Sequence, residues 1–275
     1  MILLLLLIQV SSLGESLTFH APFDSTFEAG FAMGDPVLYQ ADNLDDSDRA
    51  VPADPSESEV SIVVDGGMFG GALHFSDYTD ATYFFKGMDN VAYQEEDWNA
   101  TISFWLKVDP NEDLTEGEWS DPIMLTPRSW DDASVFVDFT RNQPRKFRLA
   151  AFADRHIWNP EGDPWEDMAP GVMPMITIDG HPFSSESWTH VVMVVRKFNT
   201  DADTAVFQGY LNGELVGELH GRDQKLTWDA SKVLLSLGLQ YRGQMDDLSF
   251  FNKDLSPDEV RQLYTLSGGI QTLYQ

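Results

Sequence analysis

The sequence predicts an all-β protein: a two-sheet antiparallel sandwich that carries one short C-terminal helix. Three observations lead there. Short segments with apolar residues at every second position recur along the 275 residues, and that period belongs to half-buried strands. An Asn-Gly pair joins two of them at Leu211-Asn-Gly-Glu214, a hairpin signal because both residues tolerate positive φ. Only one stretch, near the C-terminus, has a good helix start. A dozen short strands with so little helix fit a sandwich.

The elements follow in chain order. Met1-Ile-Leu-Leu-Leu-Leu-Leu-Ile-Gln-Val10 is apolar but too short to span a bilayer, and small residues follow at Ser12 and Gly14. It reads as a signal peptide over 1–14, with no Lys or Arg ahead of the apolar run; the alternative is a buried N-terminal strand. No later segment resembles a membrane span. In the next run Leu17, Phe19, Ala21 and Phe23 share one face, as do Ile102, Phe104, Leu106 and Val108 further on. More strands are expected at 72–75, 82–85, 135–139, 147–152, 175–178, 190–196, 205–211, 215–219, 233–237 and 245–251. Polar insertions at 34–59, 110–132 and 154–180 read as surface loops of a length that often carries function. For the helix, Ser256 caps the amide of Glu259, Pro257 suits the first helical position, and Leu255 staples onto Val260; it runs to about Tyr264. One domain, 17–266, and a C-terminal tail, 267–275, account for the chain.

The 43% apolar content includes 18 Phe and 8 Trp, enough for a full core. A formal charge of −28, from 45 acidic against 17 basic residues, repels nucleic acid and anionic membranes. It reads as a solvated coat, or as affinity for calcium. There is no cysteine, which rules out disulfides and cysteine-linked lipid. Export without disulfides points to a bacterial protein held together by its core.

Four segments, in order, carry a family resemblance: Gly70-Gly-Ala-Leu-His-Phe75, Thr101-Ile-Ser-Phe-Trp-Leu-Lys107, Trp188-Thr-His-Val-Val-Met-Val195 with Tyr210-Leu-Asn-Gly-Glu-Leu-Val216, and Gly243-Gln-Met-Asp-Asp-Leu-Ser-Phe-Phe-Asn252 with Leu255 to Tyr264. Together they resemble the laminin-G-like jelly-roll domains of the concanavalin A-like lectin/glucanase superfamily. The resemblance implies a structural Ca²⁺ held by Asp24 and Asp246, with a carbonyl near Gly70 completing the shell. Alternation places Asp246 on one face with Leu248 and Phe250, pointing inward, where a bare carboxylate is costly; Asp247 is expected to face the other way. The alternative to a metal is a carboxylate satisfied by backbone amides. The resemblance also makes His190 a framework residue, and the six histidines show no metal spacing.

Two further features bear on function. Trp119, Trp130, Trp158 and Trp165 fall in or beside the insertions, where exposed rings stack on sugars or else pack their own loops. Six of the 17 basic residues lie between Arg128 and Arg155. Lys146 and Arg148 alternate with Phe147 and Leu149, so both leave the core side and offer a face for an anionic glycan, unless Asp131, Asp138 and Asp154 pair with these cations. The expected ligand-binding set is Trp130, Lys146, Arg148, Arg155 and Trp158. The superfamily's Glu-x-Asp-x-x-Glu strand is missing, as are the lyase Gln-x-His pair and Tyr-bearing strand, so no catalytic residue is assigned. The expected function is a secreted module binding a glycan or glycoprotein. The alternatives are a diverged glycoside hydrolase or lyase, revived by two inward carboxylates or a His/Tyr pair in one cleft, and a structural matrix protein without a small ligand.

Overall fold

A computed structural model of the chain describes residues 13–55, 59–79, 81–169 and 171–275. The expected signal peptide, 1–14, lies outside the described residues up to position 12. At its end Leu13 is fully buried against the C-terminal segment.

In chain order the first strands are β1 (Leu17–Ala21), β2 (Phe31–Ala32), β3 (Tyr39–Ala41), β4 (Val51–Pro52), β5 (Val60–Val63), β6 (Ala72–Phe75), β7 (Thr82–Lys86), β8 (Trp98–Lys107) and β9 (Ser120–Thr126). The rest are β10 (Ser134–Phe139), β11 (Phe147–Phe152), β12 (Met175–Ile178), β13 (Thr189–Phe198), β14 (Val206–Leu211), β15 (Glu214–His220), β16 (Leu234–Leu239) and β17 (Gly243–Phe251). One sheet has the order β15, β14, β13, β8, β17, β1, β2, and β6 and β5 also join it along β17. The other runs β12, β11, β10, β9, β16, β7, β3, β4. The predicted jelly-roll sandwich is what forms.

Alternation decides what the two sheets bury. Ile102, Phe104 and Leu106 of β8 and Val191, Met193 and Val195 of β13 pack in one cluster with Ile123 and Leu125 of β9 and Val135 and Val137 of β10. The opposite face of the first sheet buries Val192, Val194, Tyr210 and Phe251 under Leu255, Val260 and Leu263 of the C-terminal helix, Pro257–Tyr264. That helix begins on the predicted capping box, with Ser256 and Glu259 each bonded to the other's backbone. The predicted hairpin turn holds Asn212 at φ 50° and Gly213 at φ 79°. Ile270 in the tail is buried on the same face.

Two predicted loops contain strands. The 34–59 stretch holds β3 and β4, and the 110–132 stretch holds β9, a central strand of the second sheet. Pro122 hid β9 from the sequence, because proline removes a ladder donor. The fold tolerates it through a bulge: Ile123 faces Val137 and Ser120 faces Phe139, so Asp121 and Pro122 together stand opposite Asp138.

A second bulge overturns the expected direction of Asp246. Asp246 pairs with Trp105 and Ser249 with Ser103, which leaves one extra residue on β17, and Asp247 takes φ 54°. Met245, opposite Leu106, holds the core position instead. Asp246 therefore sits with Trp105 on the outside of the first sheet, and the alternation resumes at Leu248.

Close packing between the sheets fixes one glycine. Gly238 has φ 70°, and a methyl group there would collide with the Phe75 ring. Gly238→Ala is expected to cost about 2 kcal/mol through overpacking and backbone strain, read as a lower midpoint in urea denaturation with unchanged slope.

Candidate functional site

A cavity of 330 Å³ lies on the face of the second sheet turned away from the first, a volume suited to a small ligand. Strand register builds its floor. Phe136 and Asp138 of β10 alternate with core residues Val137 and Phe139, and Asp138 stands directly opposite Arg148 of β11. The β9 bulge brings Asp121 to the same cavity. Loops build the walls: Trp119 precedes β9, Trp130 joins β9 to β10, Arg141 lies in the β10–β11 turn, and Trp165 and Glu166 lie between β11 and β12.

The floor is electrostatically uneven. Arg148 Nε donates to Asp138 Oδ1 at 2.7 Å, while Nη2 donates to Oδ2, a buried bidentate pair. The guanidinium also lies 4.4 Å from the centre of the Trp119 ring and 5.9 Å from that of Trp165. Trp165 meets Trp130 edge to face at 5.1 Å. The Asp121 carboxyl accepts no hydrogen bond from any described residue. Burial, reinforced by the charge of Asp138 and opposed by Arg148, pushes the Asp121 carboxyl well above the usual carboxylate range. Burial raises Asp138 as well, against the pull of Arg148.

Of the expected ligand set, Trp130 and Arg148 line this cavity, and Lys146, Arg155 and Trp158 do not. Lys146 pairs with Asp179 at 2.9 Å and Arg155 with Asp131 at 3.2 Å. Trp158 packs on Phe152 at 4.8 Å, donates to the Asp131 carbonyl at 2.8 Å, and lines a separate, smaller cavity. The wider basic cluster is likewise absorbed. Arg128 pairs with Asp154 at 2.9 Å, and buried Arg145 donates to the carbonyls of Thr115, Glu118 and Thr140. In so acidic a chain most of these cations meet a nearby acid, and the cluster offers no basic face. His190 is also structural: Ser103 bonds it at 2.8 Å, and burial lowers its pKa to about 3, so the ring stays neutral.

Asp121 and Glu166 are the lining residues that no sequence signal marked. Counting alternate residues from Ile123 and Leu125 sends Asp121 into the core. The Asp-Pro step inside an apolar run was the one trace of the bulge that turns it out.

The residues expected to hold calcium come together beside β17. Along one edge of that strand β6 pairs through Met245 and β1 from Leu248, and Asp246 and Asp247 fall in the gap between them. Asp246 Oδ2 accepts from Phe69 N at 2.9 Å, and Asp24 Oδ1 accepts from Gly71 N at 3.0 Å. Gly70, at φ 86°, has no room for a side chain because the Asp24 carboxylate lies against its Cα. Its carbonyl accepts from Gly67 N at 2.8 Å, so Gly70 shapes the loop that joins the two acids. Asp246 Oδ1 is buried without a partner, and burial raises this carboxyl to about 8. A buried carboxylate oxygen left without a partner fits a hard cation. Among the described residues no three His, Asp or Glu side chains gather at one point, so carbonyls must complete any such shell. Asp247 is held apart by His20 at 2.7 Å, whose other ring nitrogen meets Tyr274 at 2.9 Å.

Residues 85–261 match the family model described as the Concanavalin A-like lectin/glucanases superfamily. The chain belongs to that superfamily. Solved structures agree on this superfamily's fold. The fourth domain of AbnA, a GH43 extracellular arabinanase from Geobacillus stearothermophilus solved with arabinotriose, aligns with a TM-score of 0.53 at 14% identity, over 90% of this chain and 97% of that one. The binding domain of botulinum neurotoxin serotype D aligns with a TM-score of 0.57 at 15% identity, over 94% of this chain and 52% of that one. The binding domain of Paraclostridial Mosquitocidal Protein 1 aligns with a TM-score of 0.53 at 13% identity, over 92% and 52%. The chain thus spans about half the length of these toxin domains. A search of curated proteins gives no match. No helix among the described residues is long and apolar enough to cross a membrane.

Proposed function

We propose that the chain is a secreted carbohydrate-binding module whose ligand occupies the cavity over β9, β10 and β11. The observation that carries this reading is the pairing of three tryptophans, Trp119, Trp130 and Trp165, with a polar floor of Asp121, Asp138 and Arg148. Rings receive the apolar faces of a sugar, while polar groups fixed on strands set its orientation. The arabinotriose complex of the AbnA domain supports the same class of ligand. The floor pairs Arg148 with Asp138 and leaves no surplus positive charge, which favours a neutral glycan over the anionic one expected from the basic cluster.

Two carboxyls in one cleft also meet the condition for a hydrolase. Asp138, however, has both oxygens engaged by Arg148, which lowers its capacity to act as nucleophile or base. Binding accounts for the arrangement better.

A glycan array that includes arabinotriose tests the reading. Trp165→Ala is expected to weaken binding tenfold or more, about 1.4 kcal/mol, with an unchanged melting temperature. Absence of any bound glycan, or a mutant with full affinity, overturns it. A structural calcium held by Asp246, Asp24 and nearby carbonyls belongs to the same proposal.

A further inference from the structure

Asp121 and Asp138 share the cavity floor on unequal terms. Asp138 receives two hydrogen bonds from Arg148, whereas the Asp121 carboxyl receives none. The bulge sets both residues across one strand boundary, where two ionised carboxyls repel each other. We propose that Asp121 enters the cavity as an uncharged carboxyl and donates its proton to an oxygen of the bound sugar, while Asp138 accepts from a hydroxyl of the same sugar. The proposal rests on the glycan reading above and names the group that selects the ligand.

The surroundings of Asp121 favour the uncharged form. β16 presents Leu239 directly across from it, and Trp119, Trp130 and Phe136 line the same space. β10 contributes the negative Asp138, and β11 contributes Arg148, whose hydrogen bonds go to Asp138. At the rim Glu166 adds a second negative group, and exposed Arg141 lies 5.8 Å from the Trp119 ring centre. Burial and the neighbouring carboxylate both act to keep the proton in place.

Ligand chemistry supplies the second reason. A sugar hydroxyl is donor and acceptor at once, and two carboxylates offer acceptors alone. One proton on the pair matches both capacities, and a hydroxyl that accepts from Asp121 is a better donor to Asp138. Sugar binding then requires the Asp121 proton. Affinity is complete below the pH at which Asp121 ionises, and falls above it by up to tenfold per pH unit.

Carboxyl-carbon NMR of ¹³C-labelled aspartate, without ligand and from pH 3 to 9, reads the proton directly. The Asp121 carboxyl is expected to titrate well above the ordinary range, as a signal distinct from that of Asp246, and Asp121→Asn is expected to remove that titration while leaving the Asp246 signal in place. Ordinary titration of Asp121, near pH 4, overturns the proposal whether or not a glycan binds. Calorimetry with the strongest array glycan between pH 5 and 9 reads the donor role. Wild-type affinity is expected to fall with rising pH, Asp121→Asn to bind with little pH dependence because an amide donates permanently, and Asp121→Ala to bind weakly throughout. Flat wild-type affinity across that range also overturns the proposal, while an array without any bound glycan overturns the carbohydrate reading and leaves the NMR result to decide the proton.

Discussion

Arg148→Ala is expected to destabilise the protein by about 3–5 kcal/mol, the usual cost of removing one partner of a buried ion pair. The loss comes mainly from what remains. Asp138 is 3% exposed, and without the guanidinium its carboxylate has no cation and a second carboxyl beside it. The Trp119 ring also loses the group it covers. Asp138 then keeps its proton when folded and releases it when unfolded, which sets the sign of the pH effect. Stability is greatest below about pH 4, the ordinary aspartate range, and declines as pH rises toward the elevated folded value. Urea denaturation at pH 5 and pH 8 checks this, and the mutant's deficit is expected to be larger at pH 8. Arg148→Lys should restore little, since a single ammonium does not reproduce the planar two-bond fork. Arg148→Ala with Asp138→Asn should recover part of the loss, because no buried charge is then left alone. Equal stability of Arg148→Ala and wild type would contradict the pair's importance.

Calcium is expected to raise the melting temperature, by about 2.7 kcal/mol of stabilisation at a hundred times its dissociation constant. Asp246 explains why. In chelator its carboxyl is buried, and one oxygen has no partner. Its pKa of about 8 against an ordinary 3.8 means that the folded state holds a proton the unfolded state releases. In chelator that contribution to stability is complete below about pH 4 and lost as pH climbs to about 8. A bound cation favours the carboxylate and reverses the trend, so calcium should stabilise more at pH 8 than at pH 5. Asp246→Asn is expected to remove the calcium response while matching or exceeding wild-type stability in chelator. Thermal melts of both proteins with calcium and with EDTA measure this. Identical wild-type curves in the two conditions would refute the site.

The strands, the hairpin and the capped helix were legible because each is local. Ile102, Phe104 and Leu106 declare one face of a strand by spacing alone, Asn212-Gly213 has few other conformations to adopt, and Ser256 with Glu259 lies within one helical turn. The cavity was half legible. Trp130 and Arg148 were found by composition and alternation, but Lys146 and Arg155 have the same composition and point to Asp179 and Asp131 instead. Which cation meets which acid is set by strand pairing at long sequence separation, and no short window contains it. The two bulges defeated alternation for the same reason. A bulge is a relation between two strands, and Asp121 and Asp246 each look inward-facing when their own strand is read alone.

The β9 bulge gives chain length a role in what the cavity recognises. Substitution changes one side chain at a time, but loss of Pro122 alone would close the bulge, keeping Ile123 against Val137 and Ser120 against Phe139 while Asp121 alone stands against Asp138. Relatives without this extra residue would share the sandwich and present a different floor to their ligands. Single-residue insertions and deletions at this bulge offer a route to new binding preferences that leaves the core between the sheets in place.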